Sequence, residues 1–235
     1  MWHRYPSVWS FLFPILSLGG AVPHAAADAL CPCVVIDEVT EGSAADPAGL
    51  LAGDRLVAWA RPAASVETQE PLCSPFQLAQ LPIDLGQRAP LVLFGRRGED
   101  PWRRSVAATA VPGLRFRSCA APTTDDAAAA WDRLQSALAS GRERAWTDAD
   151  AAFEEALRRL ERADPPFRAQ VLRAWGETFI TRNDSVEAER RYQQALELDQ
   201  RGATGLAAAL DHQLLGVSAR ERGDPDTGEP ICARR

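Results

Sequence analysis

Histidine is scarce in this chain: past residue 27 the only one is His212, set among Ala209, Leu210, Leu214 and Leu215 at helical spacing. A serine or cysteine nucleophile needs a neighbouring base, usually imidazole, and a histidine in that setting reads as a helix residue at a packing interface. Lysine is absent altogether, which excludes a P-loop lysine, a Schiff base and a Ser-Lys dyad in one observation. The acidic pairs Glu154-Glu155 and Asp125-Asp126 fall at helix starts or on solvated faces, where charge complements the helix dipole. None stands apart as the two acids that glycoside hydrolysis places across a cleft. Gly95 and Gly98 bracket a hairpin-like turn rather than a phosphate loop. Cys31, Cys33, Cys73, Cys119 and Cys232 form no zinc pattern, since Cys31-Pro32-Cys33 is too tight for a metal knuckle and no second pair follows. No catalytic residue, metal site or cofactor is expected, and the chemistry left is binding.

The elements that would position a binding surface are clearest from Val34 to Ala60. Val34, Val35, Ile36 and Val39 form a short β-branched run bounded by Glu41-Gly42-Ser43, the pattern of a buried strand and tight turn. Ala44, Ala45, Ala48 and Leu50 fit a helix of barely two turns capped by Ser43. Gly49 and Gly53 bracket Leu50-Leu51-Ala52 and predict positive φ. A second strand, Arg55 to Ala60, follows Asp54.

This order resembles the heart of a bacterial PDZ domain, carried by Gly42-Ser43-Ala44-Ala45, Ala48-Gly49-Leu50 and Gly53-Asp54-Arg55-Leu56. Downstream, Ser74 to Leu81 is similar to the groove helix, Leu91 to Gly98 to a strand ending in an Arg-Gly turn, and Arg104 to Ala110 to the closing strand. The resemblance implies a groove that takes an extended peptide as an added strand, with main-chain bonds giving affinity and side-chain pockets specificity. Its edge strand would be Val34, Val35, Ile36 and Asp37, and its helix side Phe76 and Gln80. Pro32 departs from the family's carboxylate loop because it has no N–H to offer. Cys31 or Cys33 paired with Cys119 would staple this unit closed, and spacing does not choose between pairings.

The first 27 residues read as a secretory signal peptide: a basic start, an apolar run from Val8 to Val22, and small residues at His24-Ala25-Ala26-Ala27. The run is short against the roughly 20 residues of a spanning helix, so the expectation is export to the periplasm or exterior with no membrane span in the mature chain. Asp28-Ala29-Leu30 before Cys31 is a poor lipobox, which argues against lipidation. A net charge of -6 argues against nucleic acid as partner, since phosphate binding depends on a basic surface.

After Cys119-Ala120-Ala121-Pro122 the composition turns to Ala, Leu, Glu and Arg at helical spacing. Helices are expected near 124–140, 148–163, 167–182, 185–200 and 204–222, with caps from Thr123, Thr147 and Asp184. Leu172, Trp175, Gly176, Phe179, Ala188, Tyr192 and Ala195 fall at tetratricopeptide (TPR) offsets, and this hairpin resembles a TPR repeat. Ala137, Ala149, Phe153 and Ala156 suggest a degenerate copy before it. Leu215-Gly216 repeats Trp175-Gly176 at a spacing longer than the usual period of about 34. Pro225, Gly228 and Pro230 break the helix that should complete a third unit, leaving an apolar seam along Leu210, Leu214, Leu215 and Val217 on which the array could self-associate.

The expected fold class is α+β: a signal peptide over 1–27, a small PDZ-like β-barrel or sandwich over 28–120, and an all-α TPR-like hairpin array over 121–235 with its last repeat incomplete. The expected function is an exported, non-enzymatic module that binds peptides or partner proteins. The alternative is a regulatory front end, or truncated fragment, of a CHAT-type proteolytic or signalling protein, since PDZ-like and TPR-like units also resemble the N-terminal part of such proteins.

Overall fold

The computed structural model describes residues 33–62, 68–86, 88–120, 125–163, 165–202 and 205–222. The expected signal peptide, Cys31, Thr123 and the tail beyond Gly223 lie outside the described residues. The architecture is α+β: a six-stranded antiparallel sheet, then a run of helices. The strands are β1 (Val34–Val39), β2 (Arg55–Ala60), β3 (Glu70–Pro71), β4 (Pro90–Arg97), β5 (Asp100–Ala107) and β6 (Leu114–Ser118), in spatial order β5-β4-β2-β1-β6 with β3 also on β2. Helix α1 (Pro75–Leu85) lies between β3 and β4 in sequence. The helical half comprises α2 (Asp126–Arg142), α3 (Trp146–Arg159), α4 (Pro165–Thr181), α5 (Ser185–Gly202) and α6 (Gly205–Glu221). Among the described residues no helix is long and apolar enough to cross a membrane.

The stretch between β1 and β2 does not form the expected two-turn helix. It is a chain of tight turns in which the N–H groups of Ser43, Asp46 and Gly49 each bond the carbonyl three residues back. Pro47 lacks an N–H and Gly49 takes φ +73°, so a longer ladder cannot propagate. Asp54, fully buried, holds the second turn: its carboxylate accepts from the Leu51 N–H and from both Nε and Nη2 of Arg97 at the end of β4.

Two further expectations shift. The closing strand starts earlier, at Asp100, and gives way to a 3-10 segment at Ala108–Gly113. Beyond it, inside the expected PDZ-like unit but where no element was expected, comes β6. Its residues Leu114, Phe116 and Ser118 are buried while Arg115 and Arg117 are exposed, the alternation of a half-buried strand. The disulfide Cys33–Cys119 joins the residue before β1 to the residue after β6, and the Cys119 N–H also bonds the Cys33 carbonyl at 2.7 Å. Cys73 is disulfide-bonded as well.

The helices fall close to their expected spans. Asp125 caps α2 through the N–H groups of Ala127 and Ala128, and Asp184 caps α5 through Glu187. Thr147 is not a cap, because α3 already begins at Trp146. The expected hairpin α4–α5 packs as its small residues dictate: Ala188 and Ala195 are fully buried, and the Tyr192 ring lies on Gly176, where a Cβ would meet it at 2.4 Å. Asp150 ties α3 to α4 by accepting the Trp175 indole N–H and a two-nitrogen fork from Arg182. Burial pushes its carboxyl up, but these donors outweigh burial and leave it below the usual carboxylate range. One apolar core runs from Val34 and Leu93 in the sheet through Phe76 and Trp131 to Trp175 and Tyr192 in the helices.

Candidate functional site

Helix α1 starts as its sequence specifies. Ser74 Oγ accepts from the Phe76 N–H, Gln77 Oε1 accepts from the N–H groups of Cys73 and Ser74, and Pro75 sits where a missing N–H costs nothing. This fixes Phe76 and Gln80 on successive turns of one face.

The strand expected to flank that helix as a free edge is not an edge. Val34 and Val35 pair with Leu56 and Arg55 of β2 on one side and with Ser118 and Arg117 of β6 on the other. Ile36 likewise bonds Asp54 and Gly53 while facing Phe116. Asp37 falls at the register shift between Ile36 and Glu38 and forms an ion pair with Arg117 at 2.9 Å. An incoming strand therefore finds the backbone of Val34 to Ile36 already paired on both sides. The outer strand beside β1 is β6, clamped there by the Cys33–Cys119 bridge.

The helix side of the expected groove is also covered. Phe76 is fully buried and Gln80 is 5% exposed. The Phe76 ring meets Trp131 of α2 edge-on at 5.0 Å and stacks with Phe167 of α4 at 5.3 Å. Trp131 in turn stacks on Phe116 of β6 at 5.1 Å, and its indole N–H donates to the Phe116 carbonyl at 2.9 Å. Gln170 of α4 donates to the Phe76 carbonyl at 3.0 Å and to Gln80 Oε1 at 2.7 Å, while Gln80 donates onward to Asp84. Helix α6 also lies against α1, so α2, α4 and α6, every other helix of the run, surround it. Leu214 and Leu215, expected along an uncovered seam, are half-buried against the core.

The structure thus brings Phe76 and Gln80 together with Phe116, Trp131, Phe167 and Gln170, and leaves the backbone of Val34 to Ile36 paired between β2 and β6. The sequence reading missed those four partners. The alternation of Leu114, Phe116 and Ser118 was a usable signal; nothing local marked Trp131, Phe167 or Gln170 as facing α1. Chemically the arrangement is an aromatic clasp with four directed hydrogen bonds. Among the described residues no group of three or more His, Cys, Asp or Glu could hold a metal ion. Neither a family model nor a curated protein matches this chain.

Proposed function

We propose that this protein is an exported, non-enzymatic interaction module, a PDZ-like unit fused to a TPR-like array, that holds itself in a closed form. In this reading the array takes α1 as its own ligand, and Trp131 occupies the place beside β6 and α1 that a partner peptide would take. The observation that carries it is the fully buried Phe76, gripped by Trp131 and Phe167 from the helices. The Trp131 N–H on a strand carbonyl of β6 supports it further, because strand addition to an outer strand uses those same main-chain groups. The Cys33–Cys119 disulfide supports export, since such bonds persist in oxidising compartments. A partner protein or peptide would then bind by displacing the clasp.

A peptide library screened against the full chain with its disulfides intact tests this by NMR. Binders should shift amides of α1 and β6 together with the indole N–H signal of Trp131. Binders that all map elsewhere, with that indole signal unmoved, sink the proposal.

A further inference from the structure

Three helices meet at a buried charge cluster remote from the aromatic clasp in its chemistry. Arg173 of α4 is 5% exposed, Asp199 of α5 1%, and Asp211 of α6 is fully buried. A single nitrogen, Arg173 Nη1, donates to Asp199 Oδ2 at 2.5 Å and to Asp211 Oδ1 at 3.1 Å. Two carboxylates therefore share one cation. Their second oxygens, Asp199 Oδ1 and Asp211 Oδ2, have no donor. With both groups ionised, the cluster would keep a surplus negative charge and two unsatisfied acceptors out of water, each expensive. One proton shared between the carboxylates removes the surplus and supplies the missing donor, as in paired acids that cannot both ionise.

We propose that α6 is latched by a proton: the Arg173, Asp199 and Asp211 cluster holds it against α4 and α5 while the two carboxylates share a hydrogen, and releases it when that hydrogen leaves. Burial pushes the Asp211 carboxyl up to about 7, with Arg173 opposing and Asp199 reinforcing the rise. Other ionisable groups near the contact are Glu177 on α4, whose carboxyl is pushed up by burial while Arg173 opposes the rise, the exposed His212 on α6, and the pair Glu189 of α5 with Arg222 at the end of α6. Helix α1, which also packs on α6, carries Asp84 as its only charged residue, and Gln80 donates to it. An aspartate in an unfolded segment loses its proton around pH 4. The docked state thus holds an extra proton between that value and the folded one. Docking is strongest at the acid end of this window, weakens as pH rises through it, and levels off above about 7. The latch does not depend on the groove reading, although release of α6 would uncover one flank of α1.

Amide hydrogen exchange on the full chain between pH 5 and pH 8, corrected for intrinsic rates, reads the latch directly. Protection across 205–221 should fall about tenfold or more over that range, while protection in α2 and α3 stays nearly constant. Asp211→Asn, which keeps a donor and an acceptor but cannot ionise, should make α6 protection independent of pH. If that variant does not fold, Asp199→Asn should remove the slope by leaving one carboxylate for one cation. A flat profile for α6 in the native chain, or an unchanged slope in the Asn variant, overturns the proposal.

Discussion

Gly176 shows how one residue sets the spacing of two helices. With hydrogen in place of a side chain, α4 lets the ring of Tyr192, only 1% exposed, lie directly on its backbone. A Cβ would stand 2.4 Å from Cε1 and 2.8 Å from Cδ1 of that ring. The ring is enclosed, so relief must come from moving α5. Gly176→Ala gains helix propensity of roughly 1 kcal/mol yet overpacks the seam, which typically costs about 1–3 kcal/mol. The expected result is a less stable chain by urea unfolding, with the loss concentrated in α4 and α5 by hydrogen exchange. A variant as stable as the native chain would show that the hairpin tolerates a wider spacing.

At the level of elements, β6 depends on what lies at its ends. It is five residues long and carries two arginines, and its ion pairs with Asp37 and Glu38 are solvent-exposed, a setting where each pair contributes about 0–1 kcal/mol. The Cys33–Cys119 bond spans a sequence separation of 86, and closing a loop of that size removes about 4–5 kcal/mol of unfolded-state entropy in the chain-entropy account. Cys119→Ser should therefore lower stability by about 2–5 kcal/mol, by guanidinium unfolding. Exchange of β6 amides should accelerate more than that of β4, which has neighbours on both sides.

For the whole molecule, the continuous core implies that the two halves are not independent. Removing the helices from the sheet would expose Phe76 and Phe116, since their ring partners Trp131 and Phe167 come from α2 and α4. Full burial of a phenylalanine contributes about 1.5–3 kcal/mol. A fragment of residues 28–120 should bind a hydrophobic dye and self-associate, and residues 121–235 added in trans should suppress both. A fragment that stays monomeric and dye-free would show that the sheet half closes its own surface. In the intact chain, unfolding followed by Trp fluorescence and by far-UV circular dichroism should coincide in one transition.

Local physics determined much of this from sequence alone. The cap at Ser74, the positive φ at Gly49 and Gly53, the five helices and the close approach at Gly176 each depend on residues near one another in the chain or at a fixed helical offset, so spacing reveals them. The two-turn helix failed for an equally local reason, because Pro47 and Gly49 interrupt a ladder that its alanines favour. What tertiary structure alone decided is which strand lies outermost and what covers α1. A short strand such as Leu114 to Ser118 has too few residues to declare its partner, and a disulfide between Cys33 and Cys119 is one of several pairings the same cysteines allow. An apolar face on α1 looks the same in sequence whether its occupant is a foreign peptide or Trp131 and Phe167 of its own chain. Burial is non-directional, and the partner is chosen only when distant segments compete for the same surface.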